Sequence, residues 1–234
     1  MNIVPNLFTS SLGRKYLMAL SGAALFLFVI GHLAGNLQIF LGPDSINAYG
    51  QFLQATPEIL WPARIGLLVM VVVHIWSAVT LAAENRAARP VPYSTWQPTA
   101  ASYASRTMLM SGLIVAAFVV YHLLHFTAEA RSLNFTGQDF AEFHDAKGRH
   151  DIYRMMITGF SFPLVSVFYI VAVGLLCLHL SHGASAMFQS MGWKNDVYGP
   201  FLDRAAKVTA AVLFLGYSSI PLAVLLGYGK EALR

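Results

Sequence analysis

The chain is poor in charged residues and almost devoid of cysteine. Only 11% of its 234 residues are charged and 56% are hydrophobic, whereas about 25% of the residues in ordinary soluble domains are charged. Cys177 is the only cysteine, which excludes an internal disulfide, a cysteine-ligated iron–sulfur cluster and covalent haem attachment through a Cys-x-x-Cys-His sequence. A nucleotide-binding fingerprint for flavin is also lacking. These absences exclude a soluble globule and a self-contained flavin or iron–sulfur enzyme.

The sequence has instead five long apolar stretches. A membrane-spanning helix needs about 20 apolar residues, a length that each stretch reaches. The predicted helices cover roughly residues 16–38, 63–83, 107–127, 160–182 and 208–227. Because the connections are short, we expect one all-α transmembrane domain over residues 1–234. The first stretch is longer than a signal-peptide core and has no clean small-residue cleavage site, so we expect it to be retained.

The formal net charge of +4 would by itself permit a nucleic-acid partner. The basic residues lie at the ends of the apolar stretches and in loops, instead of forming a patch interleaved with exposed aromatic residues. We therefore assign them to membrane topology and expect membrane lipid, not nucleic acid, as their partner. With the N-terminus on the cytoplasmic side, the basic residues divide almost evenly between the two sides, so the positive-inside rule hardly favours either orientation.

Each of the first four predicted spans contains a histidine: His32, His74, His122 and His179. Ionisable side chains are costly in hydrocarbon, so a histidine in every span indicates a function. Imidazole is a common axial ligand of haem iron, and a haem inside a helical bundle needs ligands on facing helices. Four histidines could therefore hold two haems within a bundle of the first four helices. The alternative is that each one only bonds a neighbouring helix.

Depth in the membrane sorts these histidines into pairs. Successive helices run in opposite directions, so the position of a residue along its span sets its level. With a cytoplasmic N-terminus, His32 and His122 lie near the outer ends of their spans, whereas His74 and His179 lie towards the inner side. We therefore expect His32 to pair with His122 and His74 with His179, and reversing the orientation leaves the pairing unchanged.

Two of the four histidines have a rival three residues further along the chain. His125 follows His122, and His182 follows His179. Residues three apart lie on neighbouring helix faces, so spacing alone does not choose between them. The rivals are nearer the membrane ends, where a histidine meets water or a head group at lower cost, and we rank them second.

Glycines lie close to these histidines. They leave room for a flat macrocycle between helices, but the same residues allow tight helix–helix packing, so they support a close-packed bundle more than a haem. The glycines concerned are Gly22, Gly31, Gly35, Gly66, Gly112, Gly174 and Gly183.

Four stretches of the sequence occur in the order and spacing of a known family. They are RKYLMALSGAALFLFVIGHLAGNLQIFLGP, VVVHIWSAVTL, VVYHLLHFT and LCLHLSHGASAMFQSMGW. In these segments, and over nearly its whole length, the chain resembles the dihaem cytochrome b membrane anchor of succinate dehydrogenase and fumarate reductase. The GHLAGN segment around His32 and the HLSHG segment at His179 carry the strongest similarity.

This resemblance implies a five-helix subunit of the bacterial inner (cytoplasmic) membrane that holds two b-type haems. It implies a flavoprotein subunit and an iron–sulfur subunit as partners on the cytoplasmic side. Electrons would pass between the succinate/fumarate couple and a membrane quinone, which we expect to be menaquinone. By motif, His32 and His122 would ligate the haem farther from the cytoplasm, and His74 and His179 the nearer one.

The resemblance also favours His122 over His125 and His179 over His182. The family ligand follows the bulky VVY run in the third span and precedes the Leu-Ser pair in the fourth. Two other functions stay open as alternatives. One is the cytochrome b anchor of a hydrogenase, formate dehydrogenase or nitrate reductase, and the other is a non-redox helical transporter or scaffold.

A quinone site requires an apolar pocket with a few polar groups that bond the carbonyls and relay protons. We expect it near the outer end of the first two helices, with Glu58 as the proton carrier, although an inner site that uses Ser21 or the loop after the second helix is an alternative. The other quinone or propionate candidates there are Asn36, Gln38, Tyr49 and Arg64. Further basic candidates for the haem propionates are Arg14, Lys15, Arg106, Lys207, Arg131 and Arg154.

The connection between the third and fourth spans, residues 128–157, is longer and more charged than we expect from smaller members of the family. It contains His144 and His150, which we interpret as solvated loop residues. A metal site there would need converging ligands, and the sequence offers no helical face that aligns them.

Overall fold

The computed structural model describes residues 3–88 and 103–233. Helices make up 83% of it, and the described residues form no strand. Five helices are long and apolar enough to cross a membrane. These membrane-spanning segments are Ser11–Leu41, Pro57–Ala87, Met108–Phe126, Pro163–Ser190 and Gly199–Leu225. The predicted all-α class and the five candidate membrane helices are confirmed, and the chain is a multi-pass membrane protein.

Shorter helices lie between the spanning ones. In chain order, the α-helices are α1 (Ile3–Thr9), α2 (Ser11–Asn36), α3 (Pro43–Ala55), α4 (Pro57–Ala87), α5 (Tyr103–Arg106), α6 (Met108–Phe126), α7 (Ile152–Ser161), α8 (Pro163–Ser190) and α9 (Gly199–Leu225). Short 3₁₀ turns occur at Leu37–Leu41, Arg131–Leu133, Phe140–Glu142 and Lys230–Leu233.

Several helices extend beyond the predicted apolar windows. Helix α4 begins at Pro57, and α9 begins at Gly199, because the amphipathic end of a helix can continue past the hydrocarbon region, where hydropathy no longer marks it. The fourth span begins at Pro163, close to the predicted start near residue 160. Phe162 has extended backbone angles (φ −83°, ψ 113°) and separates α7 from α8, since the residue before a proline avoids the helical conformation.

Helix α7 packs against α3, and a buried asparagine joins them. Asn47 is 1% exposed. Its Nδ2 donates to Asp151 at 3.0 Å and to Asp145 at 3.3 Å, while its Oδ1 accepts from the backbone N–H of Tyr153 at 3.0 Å. Gly50 leaves the space that the Ile152 side chain occupies. The connection between the third and fourth spans, expected to be a charged loop, therefore contains helix α7. Hydrogen bonds with Asn47 hold the first turn of this helix.

The chain divides into two compact units. The first unit contains the described residues of Met1–Phe28, Arg64–Leu113 and Leu178–Ala210. The second unit contains Val29–Ala63, Ile114–Cys177 and Ala211–Arg234. Both histidines of each predicted pair belong to the same unit, so each pair has its own surroundings.

Two buried histidine pairs

The first-unit pair consists of His74 on α4 and His179 on α8. Both side chains are partly buried, their ring centroids lie 6.4 Å apart and their planes meet at 71°. Two imidazoles on opposite sides of one metal ion, with metal–nitrogen bonds of about 2 Å, would place their ring centroids about 6 Å apart. The separation of this pair therefore fits two axial ligands of one iron.

The Nδ1 atom of His74 is already occupied by a neighbouring helix. It lies 3.2 Å from the backbone oxygen of Met18 and 3.3 Å from Ser21 Oγ on α2. A carbonyl oxygen only accepts, so Nδ1 carries the proton and donates it. Ser21 donates to the backbone oxygen of Leu17 at 2.6 Å and is free to accept from the ring. The Nε2 atom of His74 therefore keeps its lone pair, the state that a metal requires.

His179 is oriented in the same way by α6. Its Nδ1 lies 3.3 Å from Ser111 Oγ, and this serine donates to the backbone oxygen of Met108 at 3.1 Å. The serine hydroxyl has one proton, so it accepts from Nδ1–H of His179. Both members of the first-unit pair consequently present Nε2 as the atom available to a metal.

A glycine stands beside each of these serines and gives the histidine ring its place. A Cβ atom added to Gly22 would lie 3.1 Å from Cε1 of His74, and one added to Gly112 would lie 3.3 Å from Cε1 of His179. Both distances are shorter than ordinary van der Waals contacts. In each Ser-Gly dipeptide, therefore, the serine hydroxyl contacts one edge of an imidazole and the glycine leaves space for the ring.

This support follows a repeat in the sequence. LSGAALFLFVIGH at 20–32 and MSGLIVAAFVVYH at 110–122 both place a histidine eleven residues after the serine. Eleven residues are about three turns, so the serine and the later histidine share one helix face. Only Ser21 was considered in advance, and then as a quinone ligand. Aligning the two histidine-bearing stretches would have identified both Ser-Gly steps.

The second-unit pair consists of His32 on α2 and His122 on α6. Their ring centroids lie 5.7 Å apart and their planes meet at 81°, so this separation also suits one metal ion. Tyr217 on α9 lies beside His32, with ring centroids 6.3 Å apart, and donates its hydroxyl to the backbone oxygen of Val29 at 2.6 Å. The Nδ1 atom of His122 lies 3.5 Å from the hydroxyl of Tyr169 on α8.

The two rival histidines have other surroundings. His125 is fully buried, and its ring lies 3.9 Å from that of Phe126 and 5.8 Å from that of Phe140. It is His122, and not His125, whose ring faces His32. His182 is partly buried and lies within electrostatic range of Lys194 and Asp203, which form an ion pair at 2.6 Å.

The quinone candidates have different surroundings. Asn36 is partly buried and donates from Nδ2 to the backbone oxygen of His32 at 2.7 Å, while Gln38 accepts from Ser45 at 3.1 Å. The Tyr49 ring fills the space beside Gly35. Glu58 and Arg64 are exposed, and Arg64 belongs to the first unit. Asn36 is thus the candidate that contacts a paired histidine.

Most of the basic propionate candidates are exposed or engaged. Arg14 is buried and forms an ion pair with Glu84, and it also donates to the backbone oxygen of Phe8 at 3.0 Å. The guanidinium of Arg154 lies 4.5 Å from the centre of the Phe143 ring. The exposed candidates are Lys15, Arg106, Arg131 and Lys207.

Ion pairs stabilise the connection after α6. Arg149 pairs with Asp145 at 2.7 Å and with Asp44 at 2.6 Å. Desolvation would raise the pKa of Asp145, but hydrogen bonds from Arg149, Lys147 and Asn47 outweigh it and lower this pKa to about 2. The pKa of Asp44 is lowered by hydrogen bonds from Lys147 and Arg149.

His150 differs from the expectation of a solvated loop residue, whereas His144 is exposed. The His150 side chain is 16% exposed, and its Nε2 lies 3.2 Å from Oε1 of Glu129. Burial raises the pKa of Glu129, although His150 opposes this shift. No group of three or more His, Cys, Asp or Glu side chains in the described part of the chain is arranged around a common metal position.

Comparison with known proteins adds no relative. No family model, no curated protein and no solved structure matches the chain.

Proposed function

We propose that this chain is the dihaem cytochrome b membrane anchor of a succinate dehydrogenase or fumarate reductase. One observation carries the proposal: each of two partly buried histidine pairs has its rings about 6 Å apart, and in the pair of His74 and His179 a serine hydroxyl lies 3.3 Å from each Nδ1 atom. The resemblance of the sequence motifs to this family supplies the identity of the partner subunits.

His74 and His179 would hold one b-type haem, and His32 and His122 the other. When bound, such a haem would supply a one-electron redox couple. Ser21 would orient the imidazole of His74, and Ser111 that of His179.

The chain would pass electrons between an iron–sulfur subunit and a membrane quinone, expected to be menaquinone. Succinate oxidation or fumarate reduction would occur on the flavoprotein partner, because this sequence has neither a flavin fingerprint nor a cysteine cluster. Both partners would bind on the cytoplasmic side of a bacterial inner membrane. Asn36, Gln38 and Arg64 remain the proposed quinone or propionate residues, and Glu58 remains the proposed proton carrier.

The decisive experiment is a spectrum of the purified chain. A dithionite-reduced minus oxidised difference spectrum should show b-type α bands, and a pyridine haemochrome assay should count about two haems per chain. Absence of these bands would leave a transporter or scaffold as the better explanation. Copurification with a flavoprotein that reduces fumarate separates this assignment from the anchors of hydrogenases and formate dehydrogenases.

A further inference from the structure

The hydroxyl of Tyr169 lies between two imidazoles. It is 3.0 Å from Nδ1 of His125 and 3.5 Å from Nδ1 of His122. Tyr169 is 5% exposed and His125 is 0% exposed. His125 is not one of the paired histidines, and its Nε2 atom has no hydrogen-bond partner among the described residues. Leaving one ring nitrogen of a buried histidine unpartnered is destabilising, so its presence requires an explanation.

If Nε2 of His122 binds a metal, the direction of these hydrogen bonds is determined. His122 would then carry its proton on Nδ1 and donate it to the Tyr169 oxygen. The hydroxyl of Tyr169 would consequently donate to Nδ1 of His125. The opposite direction, with the hydroxyl donating to His122, would place the proton of His122 on Nε2 and block the metal.

Aromatic rings close off this group from water. The Tyr169 ring contacts Phe160 and Phe118 at centroid separations of 5.0 and 5.2 Å, and Phe126 stacks near His125. A Cβ atom added to Gly159 would lie 3.2 Å from Nε2 of His125, so this glycine provides the space for the ring. In such a dry environment hydrogen bonds polarise one another. If a hydroxyl is removed, no water takes its place unless the surrounding side chains rearrange.

The two pairs therefore have different supports. The first-unit pair is held by Ser21 and Ser111. In the second unit the support behind His122 is a phenol whose own proton is drawn towards a second imidazole. A stronger acceptor behind an axial histidine makes that ligand more basic. A more basic ligand stabilises ferric iron and lowers the reduction potential.

We propose that Tyr169 and His125 are positioning residues that fix the proton of His122 and lower the reduction potential of the second-unit haem, without acting on the first-unit haem. This inference depends on the proposed function, because it concerns a haem held by His32 and His122. It assigns the unpaired buried histidine a role that neither lipid contact nor helix packing explains.

The test is a potentiometric titration of the purified complex that carries Tyr169→Phe. We expect both haems to remain bound and the potential of one haem to rise, by a change of about tenfold in its reduction equilibrium, equivalent to about 59 mV for one electron. The haem that moves should be the one whose spectrum is lost in His32→Ala. His125→Leu, which keeps the phenol, should shift the same haem in the same direction by less.

Two controls separate this role from a general disturbance of the cluster. Tyr121→Phe removes a hydroxyl from the same aromatic group, but that hydroxyl donates to the backbone oxygen of Leu133 at 3.1 Å and does not touch His122, so neither potential should move. Ser21→Ala should move only the potential of the haem held by His74 and His179.

Several results would overturn the inference. Unchanged potentials in Tyr169→Phe with both haems bound would refute it while leaving the proposed function intact, and equal shifts of both haems would refute it as well. If Tyr169→Phe loses a haem, His125→Leu decides, and an unshifted potential there counts against the inference. A wild-type chain without haem would instead refute the proposed function.

Discussion

The pairing of the histidines can be tested by combining substitutions. His74 and His179 lie 6.4 Å apart and belong to one unit, so removing either one leaves a single ligand for the same iron. Residues that act on one shared group are non-additive, and the double variant His74→Ala/His179→Ala should lose no more haem than each single variant, about one of two. The assay is the pyridine haemochrome content per chain of protein purified in detergent.

Crossing the pairs gives the opposite expectation. His32→Ala/His74→Ala removes one ligand from each pair, so the haem content should fall to about zero. The matched variant His32→Ala/His122→Ala should retain about one haem, with the spectrum of the pair that is left intact. If His32→Ala/His74→Ala retained one haem, or if His74→Ala/His179→Ala lost both, the pairing inferred from depth and from the ring separations would be wrong.

Three further predictions concern residues around the pairs. Glu58→Gln should slow quinone turnover more than it changes haem content, and unchanged turnover in a steady-state quinone assay would remove Glu58 from the site. Gly22→Ala should weaken or shift the haem of His74, because its Cβ would press on the ring. At a pH above its ordinary pKa of about 4, the ionised Asp145 stabilises the connection after α6. Because its pKa in the folded chain is lowered to about 2, this stabilisation is lost as the pH falls from about 4 to about 2. Because intrinsic amide exchange itself slows on acidification, the quantity to measure is the protection factor. The protection factors of residues 128–157 should fall over this range, and Asp145→Asn should lower them even at neutral pH.

The membrane helices could be predicted because their signal is local. About twenty consecutive apolar residues indicate a membrane span, whatever segments surround them in the fold. Helix α7 was missed because its evidence is tertiary. Nearly all of Tyr153–Phe160 is buried, yet this stretch follows a charged segment and merges in sequence with the apolar run of α8. The break at Phe162 was readable from the proline that follows it.

The histidine pairing could be deduced from depth alone, but the support of each ring could not. Tyr169 lies 47 residues from His122 in sequence, and nothing in its own span marks it as a partner. Spacing alone also does not choose between His122 and His125. Residues three apart lie on neighbouring faces of a helix, and only the position of the facing helix decides which of the two faces is used. The structure places His122 opposite His32 and gives His125 a different neighbour.

The glycines show how a composition argument becomes a specific one. Room for a macrocycle was inferred from glycine abundance, but the structure separates the glycines by what they touch: Gly31 and Gly66 face open space, whereas Gly22 and Gly112 touch histidine rings. The last two are the glycines that follow a serine whose hydroxyl reaches Nδ1 of the same histidine. Helix packing alone would demand a small residue at these positions but would not demand the serine before it. The combined requirement therefore favours a site that must hold an imidazole in one orientation, which a metal ligand needs and a packing residue does not.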